Sequence, residues 1–191
     1  TEMIALDAGT TWLEGEFFTG KPDFGRLLHS PWGKLTQEEQ AFIDGPVAQL
    51  CGMADDWQAH RDGDFPPAVW QFLKDARFLG MIIPKQYGGL EFSAQAHSAV
   101  VMCIASRSVP LAVTAMVPNS LGPAELLLHY GTEAQKAHYL PRLARGEEIP
   151  CFALTEPGAG SDAGAITASG VVFRDAASEI RIRLNWRKRY I

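Results

Sequence analysis

Between Thr36 and Gly146 the apolar residues recur at helical spacing, and beyond Gly146 the period shortens toward two. Thr36 followed by Glu39 has the form of a capping box, in which each side chain satisfies an orphan backbone N–H at a helix start. Phe42, Ile43, Val47 and Leu50 continue the apolar face, and Pro46 among them predicts a kink or a break. Pro66 and Pro67 suit the first turn of the next helix, where a missing N–H costs little. Val69, Phe72, Leu73 and Ala76 then fall at i, i+3, i+4 and i+7, on one face. The segment 80-GMIIPKQYGGL-90 reads as a loop, broken by Pro84 and Gly88–Gly89. A further helix starts at Ser93 and buries Ala96, Val100, Cys103 and Ile104. After Pro118 another runs from Leu121 to Tyr130 and stops at Gly131. Thr132 with Gln135 makes a second capping box, and that helix carries Tyr139, Leu140 and Leu143 toward Gly146.

The remaining pattern is of another kind. Ile149 to Thr155 is short, apolar and flanked by Pro150 and Pro157, as a strand is, while Val171–Phe173 and Ile180–Trp186 alternate. The fold class that follows is mainly α with a partial β domain. Residues 1–35 mix aromatics with Gly and Pro and show no period, so they read as an irregular N-terminal extension. Residues 36–148 form the helical domain and 149–191 a truncated β domain. Thr1 in place of Met, and Ile191 inside a strand pattern, predict a fragment.

With 191 residues, 47% hydrophobic and 20% charged, the chain has an ordinary globular composition. It is long enough to bury roughly 70% of its unfolded surface. A net charge of −5 argues against nucleic acid as a partner. The five basic residues of 181-RIRLNWRKRYI-191 interleave with Ile182, Leu184 and Trp186, as in a solvated strand. Cys51, Cys103 and Cys151 are odd in number and far apart, which predicts reduced thiols and a cytoplasmic setting. The scattered histidines give no ligand spacing, so no metal is expected. No apolar run long enough for a bilayer span and no signal peptide is evident.

One stretch, 151-CFALTEPGAGSDAGAI-166, carries candidate chemistry. Gly158, Gly160 and Gly164 miss the spacing of a dinucleotide fingerprint, and no lysine follows as a phosphate loop requires. Ser161 lacks the flanking pattern of a nucleophile elbow. Two readings remain open on composition. One is a tight turn in which Asp162 caps local N–H groups. The other is a cradle whose small residues let backbone and hydroxyls approach a flat ring or a pyrophosphate.

The string Ala153-Leu154-Thr155-Glu156-Pro157-Gly158-Ala159-Gly160-Ser161-Asp162 resembles the first signature of the acyl-CoA dehydrogenase family at every position. The segments 83-IPKQYGG-89, Asn119-Ser120-Leu121-Gly122 and 130-YGTEAQKAHYLPRLARGE-147 are similar to family segments in the same order. The resemblance covers about residues 37–191. Within the family, 39-EQAFIDGPV-47 and 117-VPNSLGPAELLLHYG-131 look closest to the long bacterial long-chain enzymes of fatty-acid β-oxidation.

This resemblance implies a helical N-terminal domain followed by the first strands of a middle β-barrel domain, with FAD bound between the β domain and C-terminal helices. It implies flavin contacts at Phe152, Leu154 and Thr155, and places Gly160 and Ser161 at the pyrophosphate, with Ser161 also at the CoA arm. Tyr190 and Ile191 would flank the flavin, Tyr190 standing where tryptophan is commoner. Thr114 and Val117 are candidates for lining the acyl cavity, and plain helix core is an equal reading of both. The reaction implied is α,β-dehydrogenation of acyl-CoA to trans-2-enoyl-CoA. Its catalytic base would be a carboxylate beyond Ile191, so no catalytic residue is expected here and the chain alone is expected to be inactive. Glu156 takes a structural place in the pattern. An electron-transferring flavoprotein or similar acceptor, homo-oligomerisation, and an inner-membrane association through a further N-terminal segment are compatible with the family. A non-catalytic acyl-CoA or flavin-binding module and a related flavin oxidase are the alternatives.

Overall fold

A computed structural model describes residues 16–29, 33–120 and 122–190. The chain divides into two units, Thr1–Lys34 and Leu35–Ile191. In the first, among the described residues, a stretch expected to be irregular carries a short helix, α1 (Phe24–His29). Phe17 and Phe24 meet edge to face at 6.0 Å, and His29 Nδ1 lies 2.7 Å from the Gly25 carbonyl. Part of the aromatic mixture that shows no period in sequence is thus a local contact across the turn that precedes α1.

The second unit opens on α2 (Gln37–Phe42), whose capping box is formed by Thr36 and Glu39. Glu39 does more than cap its own helix. It accepts from Thr36 N at 2.7 Å and from Ser93 N at 2.8 Å, tying α2 to the start of α6 (Ala94–Ala105). The interruption expected at Pro46 is one wide π-turn, Ile43–Val47, that passes directly into α3 (Ala48–Met53). The extra residue gives the proline ring room while Phe42, Val47 and Leu50 stay in the core. α4 (Asp56–Asp62) is capped by Asp55 and ended by left-handed Gly63. α5 (Pro67–Asp75) begins with proline at its first position and buries Val69 and Leu73.

The loop 80–90 is a compact fold-back with one short 3₁₀ turn leading into it, Phe78–Gly80, and another within it, Lys85–Tyr87. Leu90 N donates to Gly80 O, Phe92 N to Met81 O and Glu91 N to Ile83 O. Gly89 is required there, because a Cβ at that position would stand 2.0 Å from the Ile83 carbonyl oxygen. Met81 and Ile83 are consequently buried within a segment that lacks long elements.

Helix α7 (Val109–Ser120) corrects the expectation that a helix begins only after Pro118, for Pro118 lies inside it. Leu111, Ala112, Ala115 and Pro118 all face the core, and their burial outweighs one lost backbone hydrogen bond. Buried Asn119 finishes the helix: its Nδ2 donates to the carbonyls of Phe78 and Ala115 at 2.7 Å, and its Oδ1 accepts from Ile82 N. α8 follows at Pro123–Tyr130, and α9 (Glu133–Ala144) carries the second capping box. By length and mean hydropathy, Val109–Tyr130 does reach what a bilayer span requires, against the sequence expectation. Its inward face supplies part of the core, which accounts for that apolarity.

The core gathers Phe42, Leu50, Leu73, Phe78, Val100, Ile104 and Leu111, with a satellite of Ile83, Leu140, Leu143 and Ala144. Beyond it stands a two-stranded antiparallel sheet, β1 (Ser169–Arg174) with β2 (Ile180–Asn185), paired Val172 to Ile182. The strand expected at Ile149–Thr155 has no ladder partner among the described residues, so pattern alone does not make it a strand.

Candidate functional site

The stretch from Cys151 to Thr155 runs past the C-terminal half of the α7–α8 pair. A cavity of about 480 Å³ lies there, lined by Ser120, Gly122, Glu125, Leu126, His129, Tyr130 and Phe152. Phe152 and Leu154, two apart in the chain, are 44% and 37% exposed, an apolar edge left open to solvent. Thr155 is half-buried, and among the described residues nothing accepts from its N–H or bonds its hydroxyl.

Directly after this edge the chain turns sharply. Glu156 N donates to Ala159 O at 2.9 Å and Ala159 N to Glu156 O at 3.2 Å. Asp162 then accepts from Gly164 N at 3.1 Å and caps a single 3₁₀ turn, Ala163–Ala165. Gly158 and Gly160 have no atom within 4 Å of where a Cβ would stand, and Gly160 and Ser161 are exposed. The loop therefore combines the two readings left open by composition: it is a hydrogen-bonded turn, and its small residues leave one side clear.

The carboxylate of Glu156 organises the site. Its Oε2 accepts from Thr167 N at 2.8 Å and Thr167 Oγ1 at 3.0 Å; its Oε1 accepts from Ala168 N at 3.2 Å and Lys188 Nζ at 3.0 Å. Lys188 also donates to the Leu154 carbonyl at 3.0 Å, and Arg189 N donates to the Thr155 carbonyl at 3.0 Å. The Glu156 side chain is 4% exposed and that of Lys188 12%. The Thr167 N–H first, and the Lys188 ammonium next, hold the Glu156 carboxyl below the usual carboxylate range. Both its oxygens are occupied by donors, an arrangement for holding backbone rather than for taking a proton. Sequence reasoning missed Lys188. The available signal was a lone lysine two residues past an alternating strand, in a segment otherwise basic through arginine.

The other predicted positions are dispersed. Tyr190 has its ring 86% exposed on a left-handed backbone, φ 60°, with the Arg189 guanidinium 5.9 Å from the ring centre. Ile191 lies outside the described residues. Thr114 and Val117 share one side of α7 and are half-buried. Thr114 lines a separate cavity of about 400 Å³ with Trp70, Phe65 and Pro110, and its hydroxyl donates to Pro110 O. Among the described residues no cluster of metal-ligating side chains occurs.

Residues 35–147 match the model of the acyl-CoA dehydrogenase N-terminal domain. The chain belongs to the acyl-CoA dehydrogenase family. The chain is 37% identical over 103 residues to the very long-chain specific acyl-CoA dehydrogenase of human mitochondria, a match that covers 54% of this chain and 16% of that protein. It is also 37% identical over 112 residues to a 3-(aryl)acrylate reductase of Clostridium sporogenes, covering 59% of this chain and 29% of that protein. Butyryl-CoA dehydrogenase of Megasphaera elsdenii shares the fold, with a TM-score of 0.63 at 21% identity over 80% of this chain and 40% of that one. The chain thus spans well under half the length of each of these relatives. The fold they define, a helical acyl-CoA dehydrogenase domain followed by the start of a β domain, is the one described above.

The family implies FAD, and the geometry fits a flat heteroaromatic group. An open apolar edge, Phe152 and Leu154, adjoins an unengaged N–H and hydroxyl at Thr155, and the loop beyond leaves Gly160 and Ser161 clear for an anionic group.

Proposed function

We propose that this chain supplies the helical and leading β portions of an FAD-dependent enzyme that oxidises the α,β bond of acyl-CoA thioesters in fatty-acid β-oxidation, with long acyl chains preferred. The observation that carries the reading is the open edge Phe152–Thr155 against the cavity beside α7 and α8. A bound FAD would supply the hydride-accepting chemistry. Phe152 and Leu154 supply apolar contact to a ring, and Thr155 supplies the donors that stabilise an electron-rich one. In this reading Ser161 meets a pyrophosphate or the CoA arm, and Tyr190 and Ile191 are further flavin contacts.

No residue of this chain is assigned as the base. Glu156 is excluded by its four donors, and the base is proposed to lie on a C-terminal domain of the same polypeptide. We place the enzyme in the cytoplasm, as a homo-oligomer that delivers electrons to an electron-transferring flavoprotein or a similar acceptor. Similarity to a very long-chain enzyme supports the chain-length preference. So does Val117, an apolar residue on the side of α7 that would face the tail. In the full-length protein, Val117→Glu is expected to lower kcat/KM for palmitoyl-CoA by about tenfold or more, because a carboxylate is costly in an apolar channel. Butyryl-CoA turnover should stay within about twofold, and an unchanged chain-length profile would sink the assignment of Val117.

A second reading has one observation in its favour, the similarity to a reductase that acts on 3-arylacrylates: the same residues would serve hydrogen addition across the double bond. The deciding experiment is the visible flavin spectrum of the complete reading frame before and after palmitoyl-CoA. Bleaching of bound flavin supports the dehydrogenase. A flavin that does not bleach, but whose reduced form is reoxidised by an enoyl thioester, supports the reductase. A folded protein without flavin would leave a binding module, and both enzymatic readings would fall.

A further inference from the structure

Among the described residues Lys188 is the one cation that reaches the signature edge from outside it, and it does so at a particular peptide. Its Nζ donates to the Leu154 carbonyl and to Glu156 Oε1, both at 3.0 Å, from a side chain 12% exposed. The Leu154 carbonyl and the Thr155 N–H belong to one peptide unit. A charged donor on the carbonyl draws electron density along that unit and makes its N–H a stronger donor, the cooperative effect of linked hydrogen bonds. The next peptide is treated similarly, since Arg189 N donates to Thr155 O while Glu156 N donates to Ala159 O. Thr155 is therefore held between two polarised peptide planes, and its own N–H has no acceptor among the described residues.

The carboxylate partner fixes where the ammonium can sit. Three of the four donors to Glu156 come from Thr167 and Ala168, immediately before β1, so the hairpin anchors the carboxylate and the carboxylate anchors the lysine. Lys188 itself follows β2 by three residues. Both hairpin ends thus converge on the Glu156 carboxylate, and one of them, through Lys188, also reaches the carbonyl of the peptide that presents the Thr155 N–H. A lysine needed only for charge balance would not have to reach a carbonyl two residues upstream of its carboxylate.

We infer that Lys188 is a positioning residue that orients and polarises the Leu154–Thr155 peptide so that the Thr155 N–H favours the reduced, electron-rich form of a bound flavin. The inference rests on the flavin reading above. Beyond it, it names a side chain that acts through another group and sets a property, the balance between oxidised and reduced cofactor. Lys188→Met keeps the length of the stem and removes the charge and both hydrogen bonds. Lys188→Arg keeps a charged donor.

The test is made on the full-length flavoprotein, by spectroscopic redox titration of wild type, Lys188→Met and Lys188→Arg, with amide hydrogen exchange on the same three proteins. The expected result is a loss of about tenfold in preference for reduced over oxidised flavin in Lys188→Met, which is a fall of about 30 mV for a two-electron couple. Lys188→Arg should recover most of that loss. Exchange should quicken at Thr167, Ala168 and Arg189 in Lys188→Met and stay unchanged in α6 and α9. A Lys188→Met protein that binds flavin more weakly but keeps the wild-type potential would make Lys188 a structural pin and overturn the inference alone. So would a fall in potential that Lys188→Arg fails to recover. A wild-type protein that binds no flavin would overturn the reading on which the inference stands, and the inference with it.

Discussion

The helical part and the hairpin carry apolar patterns of equal clarity, and the structure treats them in opposite ways. In the helical part the patterned residues vanish from the surface: Leu50, Leu73, Phe78 and Ile104 are 0% exposed. In the hairpin Val172, Ile180, Ile182 and Leu184 share one face with Arg174, while Val171 and Phe173 lie with Arg181 and Arg183 on the other, and every residue of both strands is exposed. Periodicity therefore tells which side of an element is apolar, and burial depends on whether another element covers that side. The hairpin is held by its ladder and by the convergence on Glu156, the helical part by packing. Energy of different kinds should respond differently to substitution.

The largest difference is expected at Phe78. It is fully buried, with ring centres of Phe42 and Phe72 at 4.9 and 6.1 Å. Phe78→Ala should cost about 4 kcal/mol, as the lost transfer energy is joined by a cavity in a close-packed site. Urea unfolding followed by far-UV circular dichroism measures it. A loss below about 1 kcal/mol would mean the helices are not packed as a single core. Next comes Gly89→Ala, expected to cost about 3 kcal/mol in the same assay, because the new Cβ would meet backbone rather than a movable side chain. Gly158→Ala, with nothing within 4 Å and no positive φ, is its control and should stay within about 0.5 kcal/mol.

The sequence made much of the helical part legible because its determinants are local. Both capping boxes, Pro67 at a helix start and the Val69–Leu73 face were readable from spacing. So was the alternation that becomes β1 and β2. Illegible were the features set by contacts far apart in the chain. Pro118 sits within a helix because the core compensates it, and Asn119 bridges to Phe78 across 41 positions. Ile149–Thr155 has a strand composition but, among the described residues, no neighbour to pair with. At the candidate site, the turn and the open small-residue loop could be anticipated. Lys188 could not, because its two acceptors lie 34 and 32 residues upstream.

A smaller effect, with a sign that depends on pH, is expected at Glu39. Backbone N–H groups of Ser93 and Thr36 hold its carboxyl at about 2, against an ordinary 4.5. The folded value lies below the unfolded one, so the stabilisation is complete above about pH 4.5 and is lost as the pH falls toward 2. Glu39→Gln should lower stability by about 2 kcal/mol at pH 7, where it removes charge-assisted bonds, and by much less at pH 2.5. Stability curves of the two proteins that stay parallel down to pH 2.5 would show that Glu39 gives no such support.

The smallest effect should be at Ile182, and this is the sharpest test of the contrast. Ile182 is as large as the core residues and sits in the middle of β2, opposite Val172, but it is 60% exposed. Truncating a side chain that is already in water removes little transfer energy and opens no cavity. Ile182→Ala should therefore change unfolding stability by less than about 0.5 kcal/mol in this chain, the residual being cross-strand contact with Val172. The same substitution in the complete reading frame separates two causes of exposure. If the hairpin's apolar face is covered there, the cost should rise to about 2–3 kcal/mol, the range for a buried isoleucine. A cost that remains below about 0.5 kcal/mol in both proteins would mean that the face works in water, and that alternation in this segment serves the ladder and the Glu156 anchor alone.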